Sequence, residues 1–159
     1  MESSKKIERL RVGRGVYRIE LTLRWLLGGL FIFAGAIKAF DPTEFANDIA
    51  NYQLLPWQYA VAAAHFLPWL ELIAGAALIT GKWLPGALRI LLLLMLLFIQ
   101  ALVTAWLRGL NIHCGCFGRA FATSNYALLF LRDFTITFAL GWLFLRDWQR
   151  RIAEEPPED

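Results

Sequence analysis

A chain of 159 residues has room for one domain, but 58% of it is hydrophobic and 18% charged, with seven Trp and twelve Phe, which excludes an ordinary water-soluble fold. A soluble helical bundle is excluded most sharply by Leu91-Leu92-Leu93-Leu94-Met95-Leu96-Leu97-Phe98-Ile99, which has no polar face to turn to water. The net charge of +3 excludes little by itself; its distribution along the chain is the informative part.

Residues 1–22 read as a basic cytoplasmic or interfacial segment. Glu8 and Glu20 interrupt its basic residues, and Ile7, Leu10, Val12, Val16, Tyr17 and Ile19 are interleaved with them. That pattern suits an amphipathic segment lying in the membrane interface better than a nucleic-acid-binding arm. The apolar run that follows and Ala34-Gly35-Ala36 imitate a cleaved signal peptide. The basic region is too long for one and the apolar run continues to Phe40, so the segment is expected to be retained.

A membrane domain is expected over 23–147, with spans near 24–40, 57–80, 86–106 and 126–145, because about 20 apolar residues cross a bilayer core as a helix. In the first span Gly35 and Ala39 are four apart and make one helix face smooth enough for close packing. Asp41-Pro42-Thr43-Glu44 is a helix-start signal, with Asp41 or Thr43 as the cap. Phe45, Ile49 and Tyr52 recur at near-helical spacing and predict a short amphipathic helix on the outer surface, ending near Leu55-Pro56. Pro68 is expected to bend the second span. Gly81 and Pro85-Gly86 predict a tight turn, the third span is the most uniformly apolar, and Thr123-Ser124-Asn125 supplies a cap for the fourth. Residues 148–159 form the expected cytoplasmic tail, ending in an acidic stretch with the composition of disorder. The fold class expected is all-α: an integral membrane four-helix bundle with an amphipathic N-terminal segment and a short periplasmic interfacial helix.

Seven of the sixteen basic residues (Lys5, Lys6, Arg9, Arg11, Arg14, Arg18 and Arg24) fall at or before the start of the first span. The connection 41–56 carries Asp41, Glu44 and Asp48 and no Lys or Arg, the next carries Lys82, and the tail carries Arg146, Arg150 and Arg151. By the positive-inside rule both termini and the 81–86 turn are expected in the cytoplasm of a bacterium, with the protein in its inner membrane. The connection 107–125 then faces the periplasm, although Arg108 and Arg119 dilute the bias there.

That last connection holds both cysteines of the chain, in Asn111-Ile112-His113-Cys114-Gly115-Cys116-Phe117-Gly118. On the periplasmic side disulfides form and persist. A disulfide needs Cα atoms about 4.4–6.8 Å apart, so the chain must turn at Gly115, which glycine permits. So small a loop gains little stability from the cross-link, and any strain in it eases reduction, as suits a disulfide that passes electrons on. Arg108, His113 and Arg119 flank the pair and favour the reactive thiolate. Two other readings stay open. One is a soft-metal site, Cu(I) or Zn(II), made by His113, Cys114 and Cys116, which falls short of the four ligands of a closed zinc site. The other is a purely structural role.

Ionisable groups inside spans are costly and usually face the bundle interior. Counting about 1.5 Å per residue from the outer span ends puts His65, Gln100, Arg132 and Asp133 at one level under the cysteine connection, with Glu71 deeper. Glu71, Asp133 and Lys38 are expected to be structural or proton-linked. An interhelical salt bridge, Arg132 with Glu71 or Asp133 with Lys38, is one reading of the layer. The other is a quinone site, in which Arg132 or His65 stabilises developing negative charge on a quinone oxygen and Trp69, Trp106 and Phe117 make a slot for the ring. Aromatic residues at membrane edges also serve as plain interfacial anchors.

These residues resemble the MauE/DoxX-like family of four-helix membrane proteins, over roughly 24–133. The resemblance rests on Arg24, Gly28, Ala34-Gly35, Lys38 and Asp41-Pro42, then Tyr52 and Leu55-Pro56, then Leu67-Pro68-Trp69-Leu70-Glu71 and Gly75. It continues through Arg108-Gly109, Cys114-Gly115-Cys116-Phe117-Gly118 and Leu131-Arg132-Asp133. It implies a redox-associated membrane protein working with periplasmic thioredoxin-like or disulfide-containing proteins. It also implies a helical architecture similar to quinone-linked disulfide-forming proteins, with ubiquinone or menaquinone as electron carrier. The chain departs from those in having one cysteine pair where they have two. The function expected is therefore a membrane thiol–disulfide oxidoreductase in which Cys114 and Cys116 exchange electrons between a periplasmic thiol protein and quinone. The alternatives are a non-enzymatic assembly subunit for a periplasmic or respiratory enzyme, and a Cu(I)-handling protein. Membrane lipid is an expected partner and nucleic acid is not.

Overall fold

A computed structural model describes the backbone over residues 2–109 and 126–154 and the side chains over 15–109 and 127–152. The expectations placed on His113, Cys114, Cys116, Phe117, the 123–125 cap and the extreme acidic tail lie outside the described residues.

The described residues form five helices: α1 (Glu2–Phe40), α2 (Pro42–Asn51), α3 (Trp57–Thr80), α4 (Leu84–Leu107) and α5 (Tyr126–Glu154). Four contain segments long and apolar enough to cross a membrane: Gly15–Phe40, Trp57–Thr80, Leu84–Leu107 and Ala127–Ile152. At about 1.5 Å per residue each exceeds the roughly 30 Å of a bilayer core. The basic segment that precedes the first apolar run is continuous with it in one 39-residue helix.

α1 lies most closely along α3, and α4 along α5, with α3 joining the two pairs and α2 resting on α3. Glycine sets the α1–α3 spacing. A Cβ at Gly28 would stand 2.8 Å from the Gly75 carbonyl oxygen, and one at Gly75 would stand 2.8 Å from that of Gly28. Seven residues along α1, a Cβ at Gly35 would meet the Pro68 carbonyl oxygen at 2.8 Å. The backbones can approach this closely only without side chains there. Gly35, expected from the sequence on a smooth helix face, is in this contact, and Gly28 joins it one heptad earlier. α3 continues through Pro68 as one helix.

The core between the four long helices is built from Phe31 and Leu27 of α1, Leu78 of α3, Leu88, Leu91 and Met95 of α4, and Leu140 and Leu143 of α5. Outward-facing apolar residues such as Phe33, Ile73, Leu93 and Phe138 are exposed, as expected of surfaces that meet lipid. Short connections are fixed locally. Asp41 caps α2 by accepting from the Glu44 backbone N–H at 2.8 Å, and Pro42 occupies the first turn where its missing N–H costs nothing. Gly81 ends α3 in the left-handed conformation at φ 74°, and α4 starts two residues earlier than the turn residues Pro85-Gly86 suggested.

Two polar clamps hold one end of the bundle. Arg24 of α1 donates through Nε to the Leu78 carbonyl oxygen at 2.9 Å, satisfying a carbonyl in the last turn of α3. Glu20 of α1, which is buried, accepts from Arg146 at 3.0 Å and from Arg150, both on α5. Arg146 also lies over the Trp142 ring, 5.9 Å from its centroid. The clamp's signal in the sequence is Glu20, an acidic residue at the end of a mostly basic segment and next to the first apolar run.

Candidate functional site

At the other end of the bundle α1 stops short of α3. The antiparallel register fixed by Gly28, Gly35 and Gly75 brings Phe40 to about the level of Ala63, leaving the first turns of α3 without a partner from α1. α2 folds over that gap, burying Phe45 and Ala46 against Ala64. Lys38 consequently lies well inside the bundle, 3% exposed, although it stands only two residues from the end of α1.

Its ammonium forms an ion pair with Glu71 of α3, Nζ donating to Oε1 at 2.5 Å. Phe45 of α2 and Phe98 of α4 present their rings to the same ammonium at 5.2 and 4.9 Å from the centroids, an arrangement that stabilises a desolvated cation. Glu71 is 1% exposed, and its second carboxylate oxygen, Oε2, has no hydrogen-bond partner among the described residues. Asp133 of α5, 2% exposed, accepts from Arg132 Nε at 2.8 Å. The pairs formed are therefore Lys38–Glu71 and Arg132–Asp133, an exchange of the two partnerships suggested by depth counting. Depth counting set Glu71 below Asp133 and gave no level for Lys38, which the register of α1 against α3 decides.

Lys38, Glu71 and Asp133 share one small cavity of about 10 Å³, closed by Phe31, Ala34, Met95 and Phe98. Three of the residues singled out for a buried polar layer are thus brought together. The others are not. His65 is exposed on α3, its Nδ1 2.8 Å from the Val61 carbonyl oxygen. Trp69 is 61% exposed on the same helix and Gln100 is exposed on α4. Arg132 is partly exposed, and Trp106 is exposed but packs edge-on against Phe130, 6.3 Å between centroids. None of these five lines the cavity.

The connection that carries the cysteines leaves the bundle at this same end. Arg108, just past α4, donates through Nη1 to the Gln53 carbonyl oxygen at 3.1 Å, tying the end of α4 to the chain that follows α2. Leu102, Ala105 and Leu129 form an apolar cluster with Tyr52 and Phe130 where α4 ends and α5 begins. Asp133 follows Leu129 by one turn of α5. The polar chamber, the end of α4 and the start of α5 therefore lie at the same end of the bundle.

A multi-span helical bundle with a charged layer buried between its helices defines a polytopic membrane protein. The chain belongs to the methylamine utilisation protein MauE family, whose family model matches residues 17–146, a stretch that covers α2, α3 and α4, most of α1 and α5, and both cysteines. A methylamine utilization protein MauE from Methylophilus methylotrophus is 34% identical over 105 residues, 65% of this chain and 55% of that relative. The aligned stretch thus spans about half the length of the relative. No solved structure matches the chain.

Proposed function

We propose that this chain is a membrane thiol–disulfide oxidoreductase of a methylamine-utilisation system, with Cys114 and Cys116 as its exchange pair. The observation that carries the reading is the placement of the chain's two cysteines, one residue apart in the connection between α4 and α5, within the part matched to the family. The charge pattern supports a periplasmic position for that connection and a cytoplasmic one for both termini.

In the exchange a thiolate of a periplasmic thioredoxin-like or disulfide-containing partner attacks one sulfur of the Cys114–Cys116 disulfide. A mixed disulfide forms and the other cysteine leaves as thiolate. The partner's second thiolate then attacks the mixed disulfide, so the partner is oxidised and Cys114 and Cys116 become a dithiol. Two electrons and two protons have entered the pair, and a two-electron acceptor must remove them. Membrane quinone, ubiquinone or menaquinone, is the acceptor we assign. The cavity at Lys38, Glu71 and Asp133 has no room for its ring, whereas His65, Trp69 and Gln100 are exposed on the outer faces of α3 and α4. Quinone is then a diffusing co-substrate that meets the pair from the lipid.

Reconstitution with a reduced thioredoxin-like protein and quinone tests the reading. The wild-type chain should couple partner oxidation to quinol formation, and Cys114→Ser and Cys116→Ser should each abolish it. Undiminished turnover in both variants, with a stably co-purifying partner, would instead support an assembly subunit. Stoichiometric copper that is lost on His113→Ala would support copper handling.

A further inference from the structure

Among the described residues Glu71 Oε2 is a buried acceptor without a donor, and it belongs to a side chain that lines a cavity of about 10 Å³ together with Lys38 and Asp133. A buried carboxylate oxygen that accepts nothing is rare and calls for a partner. The volume is that of a single water, and a buried water needs two to four polar partners. Here Lys38 Nζ is a donor, and the Glu71 and Asp133 carboxylates are acceptors. The remaining walls, Phe31, Ala34, Met95 and Phe98, are apolar, so α4 contributes no ionisable group to the lining. A bare metal cation is disfavoured by the Lys38 ammonium in the same chamber, and a larger organic ligand does not fit.

We propose that this chamber is a binding site for one water molecule that accepts from Lys38 Nζ and donates to Glu71 Oε2 and to Asp133. The water joins the two ion pairs into one hydrogen-bonded line, Lys38–Glu71–water–Asp133–Arg132, running from α1 through α3 to α5. Because Arg132 is partly exposed while Glu71 and Asp133 are not, the line leads from the bundle interior to the surface at the end where the cysteine connection departs. This inference does not depend on the redox reading, since the site exists whether or not Cys114 and Cys116 exchange electrons.

The test uses the full chain in lipid nanodiscs. A high-resolution experimental structure should show one water within hydrogen-bond distance of Glu71 Oε2 and of a carboxylate oxygen of Asp133. Infrared difference spectra recorded in H2-18O against ordinary water should contain an O–H stretching band of a strongly bonded internal water. That band should shift in Asp133→Asn and vanish in the doubly apolar Lys38→Met, Glu71→Met variant, which leaves no orphaned charge and is expected to fold. An empty chamber, a Glu71 carboxylate turned so that protein donors satisfy both oxygens, or a water band unchanged in both variants would overturn the proposal.

Discussion

Lys38 and Glu71 are costly residues to keep between lipid-facing helices, and each is tolerable only because of the other. Their side chains are 2% and 1% exposed and 2.5 Å apart, with the Phe45 and Phe98 rings over the ammonium. Removing one partner of a buried pair leaves an uncompensated charge and costs about 3–5 kcal/mol, whereas replacing both with apolar groups of similar volume is often neutral. Lys38→Met and Glu71→Met are therefore each expected to lower the Tm of the purified protein clearly, and the double variant to recover most of the loss. Equal additive losses in the double variant would contradict the pairing. The identity of the buried polar residues was legible in the sequence, because ionisable groups inside apolar runs stand out. The pairing was not. It depends on the vertical offset of α1 against α3, and single-helix depth counting carries no information about that offset.

The offset belongs to the helices. Gly28, Gly35 and Gly75 lock α1 and α3 at backbone contact, and α2 then closes the step left where α1 ends early. A Cβ at Gly75 must displace the Gly28 carbonyl or the Ile32 backbone N–H, 3.2 Å away, so Gly75→Ala is expected to destabilise by about 1–3 kcal/mol, the usual cost of overpacking. Gly29, one residue from Gly28, has nothing within 4 Å of a Cβ, and Gly29→Ala should be neutral or slightly stabilising. Paired thermal unfolding of the two variants checks this, and an equal effect would remove the glycine contact from the account. Losing the Asp41 cap should cost about 1 kcal/mol. Its sign is faster hydrogen exchange at the Glu44 amide in Asp41→Ala, with α3 amides unaffected. Helix starts and stops were readable because Asp41-Pro42 and Gly81 act locally. Which glycines of α1 meet α3 was not, because Gly28, Gly29 and Gly35 look alike until a neighbour is present.

Across the whole molecule the two ends are built for different work. One end is clamped, Arg24 on the α3 terminus and Glu20 between Arg146 and Arg150. The other gathers α2, the chamber at Glu71 and the departure points of the cysteine connection. The proposed orientation predicts that single cysteines introduced at Arg18 and Gln149, in a chain lacking Cys114 and Cys116, react with impermeant reagents only from the cytoplasmic face, and one at Asn111 only from the periplasmic face. The class of the protein was legible from composition and span length alone. Of the candidate site, the sequence made the two cysteines and the buried charges stand out, because both are rare in apolar runs. The most direct test of the central claim is thiol trapping of Cys114 and Cys116 in cells with and without quinone biosynthesis. The account predicts a pair that is largely disulfide when quinone is present and accumulates as dithiol when it is absent. A thiol state indifferent to quinone would contradict it.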